Sequence, residues 1–444
     1  MGAVRRVIGS EIILFRRLWN RLMPHFGIIC PPIAGHVNPL AAVGRALIRR
    51  GHQVTLFHVQ DMEAKARGEG LQFEALGRRD YPLGQLAQSI LRLSDLSGRA
   101  ALRYAVECGC IISNLILRDG PQIARQRRID ALLVDQNEPS GGSVAEHLGI
   151  PFLSVCTSLP LNREPLIPPV FVGWKFSATP LGRMRNRIGY SLADYLIAPI
   201  QAVLNKYRKN WGLRSIGGPD DTFSRIGSIA QLPREFDFPR EGLPESFHYL
   251  GPWFDEKSSS SVSFPYEKLD GRPLIYGSIG TLQKKNSRYF RIMAEACSGL
   301  DVQLVLSLGH PLGEAKLDLP GNPVVVNYAP QLELLARAAV TITHAGMNTA
   351  LQSLHFGVPA IAIPLAHDQP AIAARLARTG AGIAISPERL RPLDLRSAVQ
   401  ALLPEASEFR RCARQLQQAI AKSGGVERAA DIAEQILESE NPVK

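Results

Sequence analysis

The sequence predicts an α/β fold. From Phe26 onward, short apolar β-rich runs alternate with helical stretches. A Ser-rich, polar segment interrupts this pattern at 255–272, and the pattern restarts at Pro273. Repeating βα units imply parallel sheet with helices on both faces, and the polar interruption reads as a linker between two doubly wound domains. At 444 residues the chain has room for two to three domains.

HFGIIC (25–30) reads as the first strand. PPIAGHVNPL forms a turn into a helix from Leu40 to Arg49, which Gly51 ends. HQVTLFHV (52–59), ALLVD (131–135) and PFLSVCT (151–157) read as further strands, with a helix from Gly142 to Leu148 between the last two. The stretch 159–211 is rich in Pro, Trp, Tyr and basic residues and shows no regular period. Past the linker, PLIYGSIGT (273–281), VQLVLSLG (302–309), NPVVVNYAP (322–330) and AAVTIT (338–343) continue the series, followed by a strand from Pro359 to Ile363. Beyond Pro387 the chain turns helical, with a break at Ser423-Gly424-Gly425. The expected divisions are 1–22, 23–254, 255–272 and 273–444, the terminal helices belonging to the last.

Composition is ordinary for a globular protein, 45% hydrophobic and 20% charged. No uninterrupted apolar run reaches about 18 residues, so no transmembrane helix is expected. The six cysteines form no Cys-x-x-Cys pair and read as reduced core thiols of a cytoplasmic protein. The net charge of +11 is concentrated in residues 1–22 and 163–210. No nucleic-acid motif accompanies it, which leaves two readings: a surface drawn to the inner membrane face, or a solvated basic face. Val4, Ile8, Ile12, Phe15, Trp19 and Leu22 recur at helical spacing among arginines. Residues 1–22 are therefore an amphipathic extension able to lie on a membrane, or a mis-called start ahead of Met23.

The densest chemistry lies between Tyr328 and Gln369. The strand AAVTIT ends in His344; Ala345-Gly346 then turns into a helix through Asn348 and Thr349. The first N–H groups of a helix lack intrahelical partners and carry partial positive charge, which suits phosphate. His344, Asn348 and Thr349 add side-chain donors. The next strand delivers His367, Asp368 and Gln369, a carboxylate and an amide fit for sugar hydroxyls. Together they read as a site for a sugar attached to a diphosphate.

These residues resemble the nucleotide-sugar signature of the family 1 glycosyltransferases, and HFGIICPPIAGHV and HAGMNTAL look similar to its carotenoid and macrolide branches. The resemblance implies that Tyr328 and Gln331 serve the nucleobase, that His344, Gly346, Asn348 and Thr349 bind pyrophosphate, and that Asp368 and Gln369 hold the sugar. It also implies two Rossmann-like domains facing a cleft (GT-B) and inversion at the anomeric carbon. Gln352 departs from the pattern, since an acidic residue usually accepts from the ribose there; an amide oxygen is a weaker acceptor.

His36 follows the first strand, at the sheet edge where open α/β proteins place ligands, and imidazole titrates near working pH. It reads as the base that activates an acceptor hydroxyl, or as a helix cap. Gly-His-x-Asn-Pro, matched by residues 35–39, is the family's base motif. Asp135 ends the strand ALLVD and reads as its carboxylate partner, or as a cap of the next helix. Ser278, Gly280 and Thr281 form a second Gly/Ser turn that can add to a phosphate cradle. The chain contains no Asp-x-Asp, so no metal is expected, and no cofactor beyond a UDP-sugar co-substrate.

On this reading, 23–254 binds the acceptor and 273–444 the nucleotide sugar. Phe171, Trp174, Phe176 and Tyr190 suggest a hydrophobic hydroxylated acceptor or a membrane-facing surface. The alternatives are a nucleotide-sugar epimerase of similar fold and a non-catalytic nucleotide-sugar binder.

Overall fold

A computed structural model of the chain describes residues 23–96, 98–254, 262–280, 287–309 and 318–438. Thr281, residues 1–22 and the Ser-rich half of the linker lie outside them. Among the described residues, the first domain contains strands β1 (His25–Ile29), β2 (Gln53–Val59), β3 (Gln72–Leu76), β4 (Ala131–Asp135), β5 (Phe152–Cys156), β6 (Ser228–Ala230) and β7 (Phe247–Tyr249). They form one sheet in the order β3-β2-β1-β4-β5-β6-β7, with every pairing parallel.

The second domain contributes β8 (Leu274–Ser278), β9 (Gln303–Ser307), β10 (Val324–Val326), β11 (Ala338–Thr343), β12 (Ala360–Ala362) and β13 (Gly382–Ala384). Their order is β10-β9-β8-β11-β12-β13, again parallel throughout. Each sheet reverses its winding once, between β1 and β4 and between β8 and β11. Ligands of doubly wound sheets sit at the carboxyl ends of strands at such a switch point. β1, β4, β5, β8 and β9 are buried along their whole length, as helices on both faces require, which is why they read as unbroken apolar runs.

Two helices depart from expectation. The helix after β1 spans Ala34–Arg49 and takes in His36 and Pro39. Its first-turn N–H groups need no intrahelical partner, so the turn-like PPIAGH residues enter the helix at little cost. The irregular stretch 159–211 contains a 31-residue helix, Pro180–Asn210. Thr179 caps it, its side chain accepting from the Gly182 N–H at 3.1 Å, with Pro180 in the first turn. Its buried face is Gly182, Asn186, Gly189, Leu204 and Arg208, so no apolar stripe announces it. A further helix, Gly98–Arg127, is long and apolar enough to cross a membrane by length and composition. Its Ile112, Leu115, Ile116 and Leu117 pack into the first domain's core.

The terminal helices divide between the domains. Pro392–Leu402 packs with the second sheet. The last helix, Gly425–Gln435, crosses back: its Ala429, Ala430, Ile432 and Ala433 lie in the core that contains β1, β2 and β4. Arg50 ties it down, donating to Glu427 at 2.9 Å and to Asp431 and Glu434 at 2.8 Å each. A separate apolar cluster joins the domains, setting Cys156, Leu159, Ala230, Leu232 and Phe236 against Met347, Leu351, Ile372 and Leu376.

Candidate active site

The switch point of the first sheet holds three side chains in contact. His36 Nδ1 lies 2.8 Å from Asp135 Oδ2 and 2.7 Å from Thr157 Oγ1. The Thr157 hydroxyl donates to the same Asp135 oxygen at 2.6 Å. The other oxygen, Oδ1, accepts from the Asn137 main chain at 2.9 Å. Asp135 is fully buried, and an ionised carboxylate only accepts, so the imidazole proton sits on Nδ1 and Nε2 keeps its lone pair. Burial pulls the His36 pKa down. The charge and hydrogen bond of Asp135, with the charge of Asp368, outweigh it and leave the value raised. For Asp135, burial alone would raise the pKa; His36, Thr157 and the Asn137 N–H turn it downward.

The matching switch point of the second sheet is organised around His344. A Cβ placed on Gly280 would come within 2.8 Å of its Nε2, and one on Gly346 within 2.5 Å, so the ring fits between two glycines. Gly280 also needs its positive φ of 80°. Burial holds the His344 pKa down to about 4, against the opposing charge of Asp368 and a hydrogen bond with the Ser278 main chain. The ring is therefore neutral at neutral pH, and its buried Nδ1 has no partner among the described residues. Two non-glycine residues with positive φ flank the cleft, Ala345 at 64° and His367 at 56°; such backbone strain concentrates at functional loops.

The two switch points face each other. Asn348, in the first turn of the helix Met347–His355, donates from Nδ2 to the Gly35 carbonyl at 3.4 Å. Its Oδ1 accepts from Gln231 Nε2 of the first domain at 3.0 Å. Asp368 accepts from the Ser158 hydroxyl, and its charge acts on both His36 and His344. Behind these contacts lies a buried ionic group. Asp237 of the first domain accepts from Arg375 of the second and from Arg240, each at 2.7 Å. Arg375 lies in the last turn of the helix Gln369–Arg378, whose N-cap is Asp368.

The remaining expected residues surround this centre. Gln369 is buried, and its Oε1 accepts from the Leu365 and Ala366 N–H groups at 2.8 and 2.9 Å. Gln331 donates to Gln352 Oε1 and, at 3.4 Å, to Thr349 Oγ1, and accepts from the Tyr276 hydroxyl at 3.2 Å. Tyr328 is 48% exposed. Ser278 is buried at the end of β8. Thr157, Ser158, Asn137 and Gln231 were not foreseen. Thr157 and Ser158 follow β5 at the same edge as Asp135, and that edge rule would have found them.

Residues 291–435 match the family described as erythromycin biosynthesis protein CIII-like, C-terminal domain. The zeaxanthin glucosyltransferase of Pantoea ananas is 32% identical over 95% of this chain and 98% of its own length. That of Pseudescherichia vulneris is 31% identical over 94% and 98%. Among solved structures, the calicheamicin glycosyltransferase CalG4 superposes with a TM-score of 0.71 over 94% of this chain and 98% of its own, at 21% identity. The glycosyltransferase VinC, solved in complex with dTDP, gives 0.68 over 94% and 100%, at 18% identity.

Proposed function

The chain belongs to the family 1 glycosyltransferases, and from that premise we propose that it moves glucose from UDP-glucose to a hydroxyl of a lipophilic small molecule such as a carotenoid. The observation that carries the reading is the meeting of His36 and Asp135 with the loops of His344 and Asp368 across the cleft. His36 Nε2 takes the proton of the acceptor hydroxyl as its oxygen attacks the anomeric carbon. Asp135 fixes the tautomer and stabilises the imidazolium that forms. The leaving UDP gathers negative charge beside the N-terminus of the helix Met347–His355 and the neutral His344 ring. Asp368 holds sugar hydroxyls, and Tyr328 stacks on the base. Gly280, Gly346 and Thr349 shape the phosphate cradle, with Ser278 beside it. The helix terminus does the work a cation would do, so the reading needs no metal. Displacement in one step inverts the anomeric configuration.

The relatives named as zeaxanthin glucosyltransferases support the acceptor and sugar chosen. The test incubates the protein with UDP-glucose and hydroxylated lipids and follows UDP. Acceptor-dependent release with an inverted glucoside is expected. A new sugar configuration without acceptor would make the protein an epimerase, and binding without release would leave a nucleotide-sugar binder.

A further inference from the structure

The helix Pro180–Asn210 is built inside out. Leu181, Met184, Ile188, Leu192 and Tyr195 are 75, 56, 64, 52 and 78% exposed. Steps of three and four residues place all five on one stripe. The opposite face, which packs inward, is small and polar: Gly189 lies against Pro169 and Trp174, and Asn186 donates to the Pro165 carbonyl at 3.0 Å. An ordinary surface helix does the reverse. A contiguous apolar strip of this size marks an interaction surface.

Charge says what covers it. Arg183 and Arg187 are exposed along one border of the stripe. Arg185 borders the other, its guanidinium 4.8 Å from the Trp174 ring centre. Asp194 is the one acid within 180–210, and Arg163 pairs with it at 2.8 Å. A second copy of the chain would bring these arginines against their equals; an anionic bilayer would neutralise them. Position agrees. The loop before the helix leaves β5 at Thr157 and Ser158, and Gly173 comes up against Pro370 next to the Asp368 loop. The stripe is thus the outer side of a segment whose inner side borders the cleft.

We propose that this face docks on an anionic lipid surface, with Leu181, Ile188 and Tyr195 entering the interfacial layer and Arg183 and Arg187 meeting lipid phosphates. The docking explains how a lipophilic acceptor reaches the cleft, and for that purpose it rests on the function proposed above; the surface itself does not.

The test is flotation of the full chain with vesicles of phosphatidylcholine, with and without phosphatidylglycerol. Wild type binds the anionic vesicles, and added salt weakens the binding. The triple variant Leu181→Ser, Ile188→Ser, Tyr195→Ser and the double variant Arg183→Glu, Arg187→Glu each bind at least about tenfold more weakly. Melting temperature and UDP release with detergent-solubilised acceptor stay at the wild-type level in both, which excludes misfolding. Equal flotation of the triple variant overturns the proposal. So does a wild-type protein that ignores anionic vesicles and is a dimer by light scattering, with the triple variant monomeric. Anionic binding that persists while no acceptor is ever glycosylated would sink the proposed reaction and leave the docking face standing.

Discussion

Asn348 reaches across the cleft to the carbonyl of Gly35, and that carbonyl is available because of Pro39. In the helix Ala34–Arg49 the oxygen of Gly35 would ordinarily accept from the N–H of residue 39. Proline has none, so the oxygen is free and Asn348 Nδ2 takes it at 3.4 Å. A residue unfavourable to its own helix thus supplies a contact between domains.

Pro39→Ala should separate stability from activity. The helix regains an internal hydrogen bond and loses the steric conflict of an interior proline, so the melting temperature rises or holds. The Gly35 oxygen is then shared, closure weakens, and kcat/KM for the donor falls several-fold. A variant less stable than wild type, or equally active, would refute this account; thermal melts and donor kinetics decide it.

His36→Ala removes the proposed base. Transfer should fall by on the order of 100-fold or more, while UDP binding measured by calorimetry changes little, because the proposed donor contacts lie on the second domain.

Asp135→Asn should move the pH profile. A base works when deprotonated, so kcat/KM rises through the His36 pKa, which Asp135 helps to raise. Without that charge the pKa drops, and the acid limb of the profile shifts to lower pH. The plateau should also drop, on the order of 100-fold, because the imidazolium loses its partner. An acid limb that stays put would show that another group sets it.

Gly346→Ala introduces a methyl 2.5 Å from His344 Nε2. The ring must swing from its slot, so the donor KM should rise by about tenfold or more with little loss of fold. Measuring kcat and KM separately over donor concentration tests this.

Asp237 is buried between Arg240 and Arg375. Burial alone would raise its pKa; the two guanidinium charges hold it well below the carboxylate range. Asp237→Ala strands Arg375 without a counter-charge and should cost roughly 3–5 kcal/mol in denaturant unfolding. Replacing both, as in Asp237→Leu with Arg375→Met, should recover part of that loss, since Arg240 keeps only Glu164 as its counter-charge among the described residues.

Much of the candidate site was legible because chemistry follows topology. His36 and Asp135, like His344 and Asp368, stand just after or at the end of apolar runs, and the carboxyl ends of parallel strands converge on the cleft. What escaped were hydroxyl and amide partners. Thr157 and Ser158 look like any polar pair after a strand, and their contacts lie 121 and 210 residues away. The strands β6, β7 and β13 are three residues each, too short for a period to show. The helix Pro180–Asn210 hid because its large apolar residues face outward and its glycines inward, which inverts the pattern a sequence reading looks for.

The last helix, Gly425–Gln435, fills part of the core laid down around β1 and β4. The lobe begun by the earliest described residues is therefore finished by some of the latest. On the ribosome its hydrophobic interior must wait, incompletely covered, until residues 425–435 have emerged. Chains cut short before or within 425–435 should fail in their first lobe, far along the sequence from the lesion itself.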